Sequence, residues 1–103
     1  MELLPDELRS RLPPCHAQEA DDDPVVYAHF YLPETLMSWY VCEGQAEGDD
    51  YLLFGFVTAP DGDFRCFLLS ELQALRGPSG QSVKRDLLFT EGRLTDVVPV
   101  PDL

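Results

Sequence analysis

Residues 51–68 read YLLFGFVTAPDGDFRCFL. Two apolar, aromatic-rich runs, Tyr51 to Thr58 and Phe64 to Leu68, flank the stretch Pro60-Asp61-Gly62-Asp63. Asp-Gly between such runs signals a hairpin, because the turn needs positive φ and glycine adopts it without steric cost. Antiparallel pairing follows, and it frames the neighbours. Val25 to Leu32 (VVYAHFYL) is β-branched and aromatic and stops at Pro33, so it predicts a strand. Met37 to Cys42 predicts another, and Val83 to Phe89 a last one.

Helices fill the remainder. Met1 to Leu12 predicts a short helix with Pro5 in its first turn and Leu4, Leu8 and Leu12 on one face, ended by Pro13-Pro14. Ser70-Glu71-Leu72-Gln73 fits a capping box, with Ser70 and Gln73 satisfying each other's backbone N–H groups. That helix runs from Glu71 to about Arg76. Arg76 suits its negative end, Gly77 the left-handed position after it, and Pro78 cannot continue it. Thr95 to Val98 predicts a further helical turn. Residues 13–24 and the acidic stretch Glu43 to Asp50, with Gly44 and Gly48 as flexible points, read as loops. The expectation is one α+β domain over residues 1–103: a mainly antiparallel sheet of about five strands with two or three short helices.

Composition narrows the function classes. With 103 residues, 45% of them hydrophobic, the chain can build one core and is too apolar for a disordered acidic tail. MELLPDEL lacks a basic and an apolar region, so no secretory signal is expected, and the longest apolar runs are too short for a membrane helix. Cys15, Cys42 and Cys66 are odd in number and widely spaced, which fits free thiols in a reducing, cytoplasmic setting. The net charge is -12, from 19 Asp and Glu against 7 Lys and Arg. Such a field opposes direct nucleic-acid binding and favours a protein partner with a basic surface. The plainer account is that acidity keeps a small domain in solution.

The order of pieces resembles the domain-of-unknown-function family 2958. The carrying residues are LLPDELRSRLP at the N-terminus, Ser38-Trp39-Tyr40 with Glu43, and FGFV in the third strand. Phe67-Leu68-Leu69-Ser70-Glu71-Leu72, Arg76-Gly77-Pro78, Gly80, and Arg85-Asp86-Leu87 before Phe89 complete the set. Where the family pattern has Trp-Thr-Trp-Tyr-Ala-Thr-Glu, this chain has Met37 in place of the first Trp. The resemblance implies a small protein of the kind often encoded on plasmids and other mobile elements. It implies no activity.

Candidate chemistry is sparse. Cys15, His16, His29, Cys42 and Cys66 are zinc-ligand types, but no C-x₂-C pair occurs, so neither metal nor cofactor is expected. Asp21-Asp22-Asp23 and Asp61-Gly62-Asp63 lack the alternating ligands of a calcium loop. Ser79 and Ser82 sit near glycines without a G-x-S-x-G elbow, and His29 is the one histidine on a regular element, available as a base for Cys42 or Cys66. RGPSGQSVKRD, residues 76–86, departs from the general acidity. Residues 1–75 sum to -12 and residues 76–93 to +2. Arg76, Gly77, Ser79, Lys84 and Arg85 are therefore a candidate anion or partner loop, with the three cations on one side and braced by the chain's own carboxylates. Asp21, Asp22, Asp23, Glu47, Asp49 and Asp50 are candidate acidic interaction residues. Trp39 and Tyr40 are a candidate aromatic surface if the sheet leaves one face open, and core residues if it does not.

Two functions stay open on these grounds. One is a non-catalytic acidic module of a mobile element, of anti-defence or nucleic-acid-mimic type, that occupies a basic protein surface. The other is a small enzyme or anion-binding domain centred on residues 76–86.

Overall fold

A computed structural model describes residues 2–59 and 62–98. Met1, expected in the first helix, and Pro60 and Asp61, expected in the hairpin turn, lie outside them. In chain order the elements are α1 (Asp6–Arg11), β1 (Val25–Val26), β2 (Ala28–Tyr31), β3 (Ser38–Glu47), β4 (Asp50–Val57), β5 (Asp63–Leu68), α2 (Leu69–Ala74), β6 (Lys84–Arg85), β7 (Gly92–Arg93) and α3 (Leu94–Val97). Strands β5-β4-β3-β2-β6 form one antiparallel five-stranded sheet, and β1 pairs with β7 in a separate ribbon. The α+β architecture with short helices is the expected one.

Strands β4 and β5 pair antiparallel as expected, with Leu52 opposite Leu68 and Val57 opposite Asp63. Four corrections concern the rest. The expected strand Val25 to Leu32 breaks at Tyr27, where the first half turns away to pair with β7. The expected loop Glu43 to Asp50 is mostly strand, because β3 continues through a bulge between Val41 and Glu43 as far as Glu47. Gly44 is no flexible point there: a Cβ would lie 2.9 Å from Leu53 Cδ2 and 3.0 Å from Leu12 Cδ1, so glycine admits the close packing. Helix α2 starts after Leu68, whose N–H donates to Glu71 Oε1 at 2.8 Å, since Ser70 is held by Asp50 instead of capping the helix. Finally, the strand expected to reach Phe89 ends at Arg85.

The sheet has two unlike faces. Side chains alternate across a strand. Ala28, Phe30, Trp39, Val41, Leu53, Val57 and Phe67 point one way and pack against Leu3, Leu4, Leu12, Leu69, Leu72 and Val83. This is the main core, closed by the two ends of α1 and by α2. The opposite face carries His29, Tyr40, Phe54, Phe56 and Phe64, and after the bulge Glu43, Gln45 and Glu47. Val26, Tyr40 and Cys42 form a smaller cluster there with Phe56, Phe89, Leu94 and Val97.

One edge of the sheet is β5. Thr58 N–H donates to Ser38 O, so alternation turns the polar groups of Val57 and Gly55 toward Asp63 and Arg65. Phe64, Cys66 and Leu68 then present their backbone groups outward. Phe64 N–H donates to Asp63 Oδ1 at 2.8 Å, and Leu68 N–H is held by Glu71 as above.

Candidate functional site

Residues 13–24 lie across the second face and are pinned to it. Glu43, only 3% exposed, accepts from His16 N–H at 2.8 Å and from Gln18 N–H at 2.6 Å. Gln18 in turn donates to the Cys42 and Val25 carbonyls at 3.0 and 3.1 Å and accepts from Val25 N–H at 2.8 Å. Gln45 Oε1 accepts from Cys15 N–H at 3.2 Å. A buried carboxylate is costly unless hydrogen-bonded, and here two backbone donors meet it. Its role was not legible in the sequence, where Glu43 opened an apparent loop.

Between this segment and strands β4 and β5 is a cleft of about 420 Å³. Leu52, Phe54, Phe64 and Cys66 form one wall, while Cys15, Glu19 and Asp22 lie on the other. The Phe54 and Phe64 rings stack at 5.6 Å with 6° between planes. A second cleft, about 550 Å³, lies between α1 and residues 85–91, and across it Arg11 pairs with Glu91.

The six acidic candidates divide by what holds them. Asp21 accepts from Asp23 N–H and pairs with Arg93 at 2.6 Å, and these bonds keep its carboxyl below the ordinary value. Asp23 accepts from Thr95 N–H and Oγ at 2.9 and 2.8 Å, fastening the first turn of α3. Asp50 accepts from the Ser70 hydroxyl, from Tyr51 N–H and from Ser70 N–H, and its carboxyl is likewise lowered. These three hold the fold. Asp22, Glu47 and Asp49 are exposed and, among the described residues, their side chains make no hydrogen bond or ion pair. Glu47 and Asp50 are the paired ends of β3 and β4, with Gly48 and Asp49 as the tight turn between them.

All three cysteines line the 420 Å³ cleft, which their wide spacing did not signal, and all are free. Burial pushes the Cys42 thiol up to about 12, and burial with nearby Cys66, Glu43 and Glu47 raises Cys15. A nucleophilic thiol needs the opposite shift and a base beside it. The expected base is elsewhere: His29 Nδ1 lies 3.0 Å from Asp86 Oδ2 and Nε2 3.0 Å from Ser38 Oγ. Among the described residues no cluster of three His, Cys, Asp or Glu is placed to hold a metal ion.

Ser38, His29 and Asp86 therefore share the bond order of a hydrolase triad, assembled by strand register from three distant positions. Tyr40 stacks flat on His29 at 4.5 Å, and burial followed by the Asp86 charge raises its hydroxyl pKa. The hydrogen bond to His29 lowers the Asp86 pKa. Ser38 N–H already donates to Thr58 Oγ1 at 3.0 Å, so it cannot serve an oxyanion, and neither Ser38 nor His29 lines either cleft. What the array does is hold a turn. Asp86 N–H donates to His29 O at 2.9 Å and Leu88 N–H to Asp86 Oδ1 at 3.0 Å, which ends β6 and brings Phe89 onto the second face.

The basic loop also resolves into local structure. Arg76 donates to the Gln73 and Leu75 carbonyls at 2.8 and 2.7 Å, so it does close the end of α2, through carbonyls and not carboxylates. Gly77 does not take the left-handed conformation; Gly80 does, at φ 78°. Gly77 N–H donates to Gln81 O and Gly80 N–H to Gly77 O, while Arg76 bridges Ser82. With Pro78 lacking a donor, the N–H groups of Gly77 and Gly80 close the turn and do not converge on an anion. Ser79 is exposed at its tip. The expectation of three cations on one side is corrected by register: Lys84 pairs with Tyr31 and Arg85 with Phe30, so the two point to opposite faces. Arg85 Nε donates to Glu2 O at 3.2 Å.

Trp39 and Tyr40 do not form an aromatic surface. They are 3% and 4% exposed, one in each core cluster, because the second face is covered too. Exposed apolar groups sit elsewhere, at Leu36, Leu87, Leu88 and, on the cleft wall, Phe64.

No helix among the described residues is long and apolar enough to cross a membrane. No curated protein and no solved structure matches the chain. Residues 3–98 match the model of a family described as "Protein of unknown function (DUF2958)", and the chain belongs to that family.

Proposed function

We propose that this protein is a non-catalytic acidic binding module of a mobile element, acting in the cytoplasm on a basic surface of another protein. The observation that supports it is the division among the carboxylates. Asp21, Asp23, Asp50 and Glu43 brace the fold, whereas the side chains of Asp22, Glu47 and Asp49 are exposed and, among the described residues, make no hydrogen bond or ion pair. Exposed carboxylates without internal partners, on a chain of net charge -12, steer and orient a cationic partner. In the anti-defence form of this reading they stand where nucleic-acid phosphates would, and the partner is a protein that binds nucleic acid.

Affinity capture from the native host tests it, with the Asp22→Lys/Glu47→Lys/Asp49→Lys variant run in parallel. The expected result is a basic protein that the wild type retains, the variant loses and duplex DNA displaces. The same retained set from both proteins, or no enriched protein from either, overturns the reading. Retention that DNA does not disturb removes the mimic form and leaves the acidic module.

A further inference from the structure

We infer that the 420 Å³ cleft is the docking site for a basic peptide segment of the partner, one that carries a single aromatic anchor between Lys or Arg residues. The inference rests on the acidic-module reading and names where and how such a module grips.

The cleft is preformed. Its outer wall is residues 13–24, fixed by the two backbone bonds to Glu43 and the three made by Gln18. Little ordering is left for binding to impose, which removes a cost that usually weakens peptide recognition. The volume, about 420 Å³, is at the small end of ligand sites and suits one large side chain with the stems of its neighbours.

The wall chemistry selects the anchor. Leu52, Phe54 and Phe64 make an apolar surface, and the parallel Phe54–Phe64 ring pair lines the cleft. Phe64 is 36% exposed although it is an aromatic residue on a sheet, so part of its ring lacks cover. An indole or phenol ring fits such a surface by offset or edge contact, and a guanidinium can lie over a ring face. The opposite rim selects the flanks. Glu19 and Asp22 are exposed there, and Asp22 makes no ion pair among the described residues; Asp21, on the same wall, is already paired with Arg93. Cations on either side of the anchor meet carboxylates, and an acidic segment is repelled.

The neighbouring edge decides the mode. A peptide that added itself as a strand to β5 would need the outward N–H groups of Phe64, Cys66 and Leu68, and those of Phe64 and Leu68 are occupied by Asp63 and Glu71. Recognition is therefore through side chains in the cleft.

Cys66 supplies the reporter, since it is exposed and on the cleft wall, whereas Cys42 is buried. Alkylation of Cys66 in the full chain by iodoacetamide is followed by mass spectrometry with the peptide Lys-Arg-Trp-Arg-Lys present. At about ten times its Kd the peptide should slow labelling about tenfold, because protection follows occupancy. Replacing the Trp by Ala should remove most of the protection, and Glu-Glu-Trp-Glu-Glu should give none. Glu19→Lys with Asp22→Lys, both at exposed positions, should abolish protection, read against that variant's own labelling rate without peptide, which the added cations can raise. Unprotected Cys66, or equal protection by the acidic peptide, overturns the inference. If Cys66 stays unprotected while host capture still depends on Asp22, Glu47 and Asp49, the acidic module stands and only this cleft is excluded.

Discussion

The two faces of the sheet are closed by different physics. On the α1/α2 side, fourteen buried hydrophobic residues interlock, and the polar bonds of Asp50 and Glu71 act only at the start of α2. On the other side the buried hydrophobic cluster among the described residues is just Val26, Tyr40 and Cys42, and the covering segments are fastened by a few directed bonds. Glu43 and Gln18 fix residues 13–24, His29 and Asp86 fix the turn before Phe89, and Asp21 and Asp23 fix β7 and α3. The first face tolerates any side chain of suitable shape. The second depends on particular atoms, and it carries the cleft.

The most severe way to break the comparison is at Trp39. Trp39→Ala removes a ring that is 3% exposed in the main core and should cost about 3–5 kcal/mol. A denaturant titration reads it, and an unchanged midpoint would mean that the interlocked face does not carry the stability. Next is Glu43→Ala, which leaves the His16 and Gln18 N–H groups without their acceptor and should cost about 2–3 kcal/mol. Its signature is local. Hydrogen exchange should quicken at residues 13–24 and stay slow at Phe30 and Val41, whereas uniform quickening would show that the two faces are not separable.

The smallest effect is expected at Asp86. Its folded pKa lies below the ordinary value of 3.8 because His29 hydrogen-bonds the carboxylate, so the ionised form is favoured in the folded state. The contribution is present above the unfolded value and lost as pH falls through the lower folded one. Asp86→Asn should cost about 1 kcal/mol at neutral pH, and the gap to wild type should close in acid. A gap that persists below the carboxylate range would assign the loss to packing and not to charge.

The same contrast explains what the sequence could show. Apolar pattern marks the interlocked face, so the β4–β5 pairing, strand β2 and the core position of Leu4 and Leu12 follow from it, although the helix expected to carry both leucines spans only Asp6–Arg11. The directed bonds leave no periodic trace. Glu43-Gly44-Gln45-Ala46-Glu47 has the composition of a loop, yet it is a strand because its carboxylate and amide meet donors from residues 15–18. The acidic candidates were visible as residues, but which of them brace the fold depends on Ser70, Arg93 and Thr95, far away in the chain. The array of Ser38, His29 and Asp86 exists only once β2, β3 and β6 are in register.

The exposed edge of β5 has a consequence for crowded solutions. An open strand invites another copy to extend the sheet, and from there chains can add without limit. Here the two end donors of the outward row are held by carboxylates from within the chain, and only the Cys66 N–H remains between them. An arriving strand would meet outward carbonyls but a single ready donor among the described residues, and to complete its ladder it would have to displace two carboxylates while bringing charge against charge. The protein can therefore keep an unpaired strand beside its cleft at high concentration without seeding fibrils.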